Sequence, residues 1–271
     1  METTELPRPD AEESTSSSSL PSAPAPDASR PGLPPKRLFA LAIVASMLAG
    51  LAAWLIGEGT LTVFEPPPNM IRAMGLLLNR PSFEARTAAE LKNVSLASGI
   101  HGACLGLALG IVAGLTRGSL RGGIVAGLSG LVLGFSAAAG ASAALLPSYY
   151  HQLDRAPEAL SHDLVLPFLI HAGTWAVVGA MGGIAFALGL REKGKFAAIV
   201  VGGVLGGILG TVVYEVVGSL FFSDARTTEP LASNWAPRLV GKLAVCVLAA
   251  LGATQAAVAT PGPNRAKSGS A

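Results

Sequence analysis

Six long apolar runs, at 38–56, 93–115, 122–146, 164–190, 196–222 and 237–259, set the rhythm of the chain, and polar residues gather in the stretches between them. A helix needs about 20 apolar residues to cross a hydrocarbon core of ~30 Å, and each run meets or nearly meets that length. Backbone polar groups find no water inside lipid, so a run of this kind closes its hydrogen bonds on itself as a helix. The pattern predicts an all-α polytopic membrane protein, a glycine-rich bundle of six transmembrane spans within 36–260.

Inside the runs the small residues are periodic. "HGACLGLALGIVAGLTRG" puts Gly102, Gly106, Gly110, Gly114 and Gly118 at every fourth position of span 2, which keeps them on one slowly drifting helix face. In lipid there is no hydrophobic drive between helices, and association relies on the close backbone approach that small residues permit. Span 3 offers Gly123, Gly127, Gly130 and Gly134, span 4 Gly179 and Gly183, span 5 Gly202, Gly206 and Gly210 beside Gly203 and Gly207, and span 6 Ala249, Ala253 and Ala257. Spans 2 to 5 are expected to pack most tightly. Such glycine faces also suit a homo-oligomer or another membrane protein as partner. "GIVAGLSGLVLGF" and "VVGGVLGGILGT" share Gly-x-x-Gly-x-x-x-Gly, at 127, 130, 134 and at 203, 206, 210, as two parallel helical hairpins, spans 2–3 and spans 4–5, would.

Between spans 1 and 2 lies the longest connection, 57–92, expected as an extracytoplasmic interfacial segment. The prolines of "FEPPPNM" favour an extended path. Met70, Ile71, Met74, Leu77 and Leu78 then share one helical face while Asn69, Arg72, Asn79 and Arg80 share the other, the pattern of a short helix lying in the membrane interface. Ser82 is placed to cap a helix over "FEARTAAELKN" that runs on into span 2.

Composition agrees with a bilayer as solvent: 51% hydrophobic, 13% charged, 33 glycines among 271 residues, and a positive mean hydropathy. Residues 1–35, dense in Ser, Pro and Ala, have no apolar run and read as a disordered cytoplasmic tail, with 261–271 as a second short one. No apolar core of a cleavable signal opens the chain, and Lys36 and Arg37 directly before span 1 suit an anchor. A net charge of +2 without a basic stripe excludes nucleic acid as a partner. Cys104 and Cys246 fall inside spans and read as small packing residues. The tight turns "TRGSLRGG" and "REKGKF" concentrate Arg117, Arg121, Arg191, Lys193 and Lys195. By the positive-inside rule these turns and both termini are cytoplasmic, in a cell (inner) membrane.

Three motifs are weighed and set aside. "GLREKGKF" has the glycines and lysine of a phosphate loop but Phe196 where a hydroxyl must hold magnesium, and no strand precedes it. "NVS" at Asn93 fits a glycosylation acceptor but sits at the membrane edge. "GLSG", 127–130, within six spans resembles the Gly-x-Ser-Gly of rhomboid intramembrane proteases over four residues. That resemblance implies Ser129 as a nucleophile beside a histidine. At 1.5 Å per residue, however, Ser129 lies roughly 12 Å from the inner end of its span, whereas His101 and His171 lie roughly 10 Å from the outer ends of theirs. No catalytic site is expected.

One coincidence of depth remains. His101, His171 and Glu215 each stand seven or eight residues from the outer end of their spans, and Lys242, with Arg238 a turn above it, can reach the same level. Tyr214 and Ser142 add hydroxyls nearby. Ionisable groups at such depth are costly unless they face the bundle interior or water, so they are expected to converge as a polar cluster. Two imidazoles and a carboxylate (His101, His171, Glu215) form a plausible transition-metal set or proton path, although no metal-ligand spacing occurs within one helix and no cofactor is otherwise indicated. The blander alternative pairs Glu215 with Lys242 and leaves each histidine to a neighbouring polar group. His151, His162 and Asp163 lie on the same side. The leading expectation is a small transport or permeation module with an outward-facing polar vestibule. The alternatives are a scaffold recruiting a partner through its N-terminal tail and, most remotely, an intramembrane hydrolase.

Overall fold

The structure, a computed structural model, describes residues 34–68, 70–73, 76–155 and 165–259. Both expected tails, apart from Pro34 and Pro35, and the loop carrying His162 and Asp163 lie outside the described residues. Six long helices are present: α1 Pro35–Thr60, α2 Phe83–Thr116, α3 Leu120–Arg155, α4 Val165–Leu190, α5 Phe196–Phe221 and α6 Trp235–Ala259. All six are long and apolar enough to cross a membrane. Their outer faces carry aliphatic side chains such as Leu48, Val125, Val132, Leu205 and Leu220, each more than half exposed, a surface suited to lipid. The chain is a multi-pass membrane protein.

Its helix starts and turns follow local chemistry. Ser82 caps α2 as expected, its hydroxyl accepting from the Ala85 N–H at 3.2 Å. The α2–α3 turn closes on Gly118 in a left-handed conformation (φ 76°), and Ser119 accepts from the Gly122 N–H at 3.1 Å to start α3. Pro147 stands inside α3, yet the helix runs on to Arg155, beyond the expected end at 146.

The interfacial helix is corrected. Met70–Ala73 and Leu76–Asn79 are short antiparallel strands, β1 and β2, paired Met70 to Asn79 and Ala73 to Leu76, so the bundle is all-α apart from one hairpin. Pro81 biases Arg80 away from helical angles, and Gly75 costs a helix interior about 1 kcal/mol. Eight paired residues around a two-residue connection suit a hairpin better.

Packing is set by the glycines. A methyl group on Gly102, Gly106, Gly110 or Gly114 of α2 would run into the backbone of Gly134, Gly130, Ala126–Gly127 or Gly123 of α3. The α4–α5 pair meets through Gly179 and Gly203 and through Gly207 against Trp175. α6 is as close to α5 as these pairs are, with Gly252 against Gly202 and Ala249 against Gly206, so the tight region extends past span 5. These glycine faces are filled by the chain's own helices. Gly140 is different, with no atom within 4 Å of where a side chain would start. α2 packs against α1, α3 and α4, and α6 against α1, α5 and α4. The space framed by α2, α4 and α6 receives the polar residues.

Candidate functional site

At the bundle end away from the basic turns, a cavity lies among α2, α4, α5 and α6, with about 60 Å³ open to the centres of water-sized molecules. That is room for a few waters or one small ion. Ala97, Ser98 and His101 of α2, His171 and Trp175 of α4, Tyr214 of α5, and Arg238 and Lys242 of α6 line it, beneath Pro230–Ala232 of the α5–α6 loop.

The roof is built by local bonds. Ser233 donates to the Ala225 carbonyl from both its backbone N–H (2.9 Å) and its hydroxyl (3.0 Å). The Tyr214 hydroxyl donates to the Thr227 carbonyl at 3.4 Å, and Arg238 Nη1 donates to the Ala232 carbonyl at 2.6 Å. Arg238 also forms a two-bond fork with Glu58 at the end of α1, Nε to Oε1 and Nη2 to Oε2, both 2.6 Å. Planar, charge-assisted forks of this kind fix orientation as well as charge.

His171 donates from Nδ1 to Glu215 Oε1 at 2.8 Å, which orients its imidazole. Its ring stacks on Trp175 with centroids 5.1 Å apart and meets Tyr214 edge-on at 5.6 Å. His101 is fully buried, and its Nε2 is 3.3 Å from the Cys246 sulfur. Lys242 donates from Nζ to the Ala97 carbonyl at 3.4 Å, and its Cε passes Gly57, where even a methyl group would sit 3.5 Å away. One turn below His101 on α2 the bundle closes, with Leu105, Leu109, Val178 and Phe186 fully buried.

The depth coincidence thus brings His101, His171, Tyr214 and Lys242 to one cavity, with Glu215 behind His171. Two expectations change. Glu215 pairs with His171 rather than with Lys242, because α4 and not α6 presents the nearest donor to it. His101, His171 and Glu215 do not close into a metal-ligand triad, and no cluster of three His, Cys, Asp or Glu side chains occurs among the described residues. Ser142 is buried on α3 without a hydrogen-bond partner and does not line the cavity.

Three participants escaped the sequence reading. Glu58 looked like a loop charge, but α1 extends one turn past its apolar run and carries it to Arg238. Cys246 looked like a packing residue and is a polar neighbour of His101. Asn93, set aside as a glycosylation acceptor, is buried and uses both ends of its amide on Phe64, accepting from its N–H and donating to its carbonyl at 3.0 Å each. This ties the start of the loop leaving α1 to α2. Ser129 lines a separate groove at the basic end with Arg191, Glu192, Lys193 and Phe196, and no histidine borders it.

Compared with known protein families, with curated proteins and with solved structures, the chain matches none.

Proposed function

We propose that this protein is a small transport or permeation module whose polar vestibule faces the extracytoplasmic side. The observation that carries the reading is the concentration of charged and polar groups around a space large enough for a few waters. Lys242, His171 and Arg238 line one cavity inside an otherwise apolar bundle, the last two backed by Glu215 and Glu58. Charged groups at such depth are expensive, and they commonly mark the path of an ion or polar solute. The closed apolar layer at Leu105, Leu109 and Phe186 makes the vestibule one-sided, so passage requires the helices below it to part. The basic turns support an outward orientation by the positive-inside rule.

Ser98 tests this directly. In a Cys104→Ala background, Ser98→Cys is expected to react with a small, membrane-impermeant methanethiosulfonate added outside intact cells, while Val178→Cys, fully buried in the apolar layer below, is expected to be silent until the protein is denatured. Reaction of Ser98→Cys only from the cytoplasmic side would reverse the orientation. No reaction from either side, with full reaction after denaturation, would remove the vestibule.

A further inference from the structure

The donors around the vestibule are not equally satisfied. Arg238 is neutralised by Glu58 through two 2.6 Å bonds. His171 has Glu215 at 2.8 Å. Lys242 has no carboxylate within 4 Å among the described residues, and its one hydrogen bond is a long one to the Ala97 carbonyl, at 3.4 Å. An ammonium carries three donors, so at least two remain for whatever occupies the space. The Ser98 hydroxyl lines the same wall and makes no hydrogen bond to another described residue. Removing an uncompensated charge from water costs several kcal/mol, which a bound counter-charge offsets. A cation entering here would meet Lys242 while both carboxylates, Glu58 and Glu215, are already engaged.

We infer that the vestibule binds a small monovalent inorganic anion of halide size, held by the Lys242 ammonium and the Ser98 hydroxyl beneath the 230–232 roof. The inference rests on the vestibule reading and gives it a substrate class. The cavity, with about 60 Å³ open to the centres of water-sized molecules, has room for one such ion together with a few waters. The groups on either side serve as fixed walls: Glu58 cancels the Arg238 charge, and Glu215 stands behind the His171 ring that it holds.

Trp175 reports on the site. The chain has three tryptophans, Trp54, Trp175 and Trp235, and Trp54→Phe with Trp235→Phe leaves Trp175 as the sole emitter on the cavity wall. In the full-length protein in an uncharged detergent at constant ionic strength, iodide is expected to quench Trp175 far more effectively than caesium, with neutral acrylamide as the reference for access. Chloride is expected to compete with iodide. Lys242→Gln is expected to weaken iodide quenching about tenfold or more, as loss of a charged hydrogen bond does, and to leave acrylamide quenching unchanged, while Lys242→Arg keeps the iodide preference. Equal quenching by iodide and caesium, or absence of chloride competition in the Lys242-containing protein, would overturn the anion site and leave the vestibule standing. Trp175 shielded from acrylamide until the protein is unfolded would overturn the vestibule itself. The competition measurement decides the matter even where Lys242→Gln does not fold.

Discussion

Gly106→Val is expected to destabilise the bundle by about 3 kcal/mol or more, at the upper end of what overpacking does and a large share of a typical domain's stability. A first side-chain atom at Gly106 would lie 2.6 Å from the Gly130 carbonyl carbon and 3.0 Å from its Cα. These are backbone atoms, with no rotamer that moves them aside. Ala185 of α4 crowds the same side of Gly130, its Cβ 2.6 Å from where a side chain there would start, so three helices share this contact. Gly140→Val controls for the intrinsic effect of valine in a helix, since that position has nothing within 4 Å, and it is expected to stay within about 0.5 kcal/mol of wild type. Reversible unfolding in mixed micelles compares the two. Equal stability of the two variants would mean that α2 and α3 do not meet backbone to backbone.

Glu58→Gln is the second large effect. Arg238 is only 13% exposed and Glu58 26%, so the substitution leaves a guanidinium largely out of water with its counter-charge gone and a single neutral amide oxygen left to accept. Breaking a buried pair from one side costs about 3–5 kcal/mol, and the partial exposure of Glu58 places this case at about 3. Adding Arg238→Met removes the orphaned charge, and the double variant is expected to regain most of the lost stability, giving a coupling energy well above the error of a double-mutant cycle. Because Arg238 also holds the Ala232 carbonyl, the single variant should increase amide exchange across 230–232 more than elsewhere. Additive losses in the cycle would show that Glu58 and Arg238 act independently.

The sequence disclosed the six spans well because lipid imposes a length and a composition that few other environments require. It disclosed the packing faces because a glycine every fourth position has few other uses in a helix, and Gly102 to Gly114 indeed meet α3. The hairpin at 70–79 escaped because five apolar residues over nine positions satisfy a helical face as readily as two short strands; Gly75 and Pro81, which decide between them, act through backbone energetics and not through periodicity. The polar cluster was half legible. Counting residues from span ends gives depth, which is why His101, His171 and Lys242 were seen to share a level. It gives no azimuth, which is why Glu215 was matched with Lys242 and a metal triad with His101 and His171 was entertained. Glu58 was invisible for a third reason: a charged residue after an apolar run looks like a loop unless the helix is known to continue past the hydrocarbon edge.

Lys242 distinguishes a residue kept for the fold from one kept for a site. In a buffer free of small anions, Lys242→Met should be as stable as the wild type or more stable by about 1 kcal/mol, because an uncompensated ammonium is replaced by a side chain of similar length that packs against Gly57 and Ala97 without a charge to solvate. Adding chloride should stabilise the wild type and leave Lys242→Met unmoved. A loss of about 2 kcal/mol or more on Lys242→Met in the anion-free buffer, with no response of either protein to chloride, would contradict this and make Lys242 a structural strut between α6, α1 and α2.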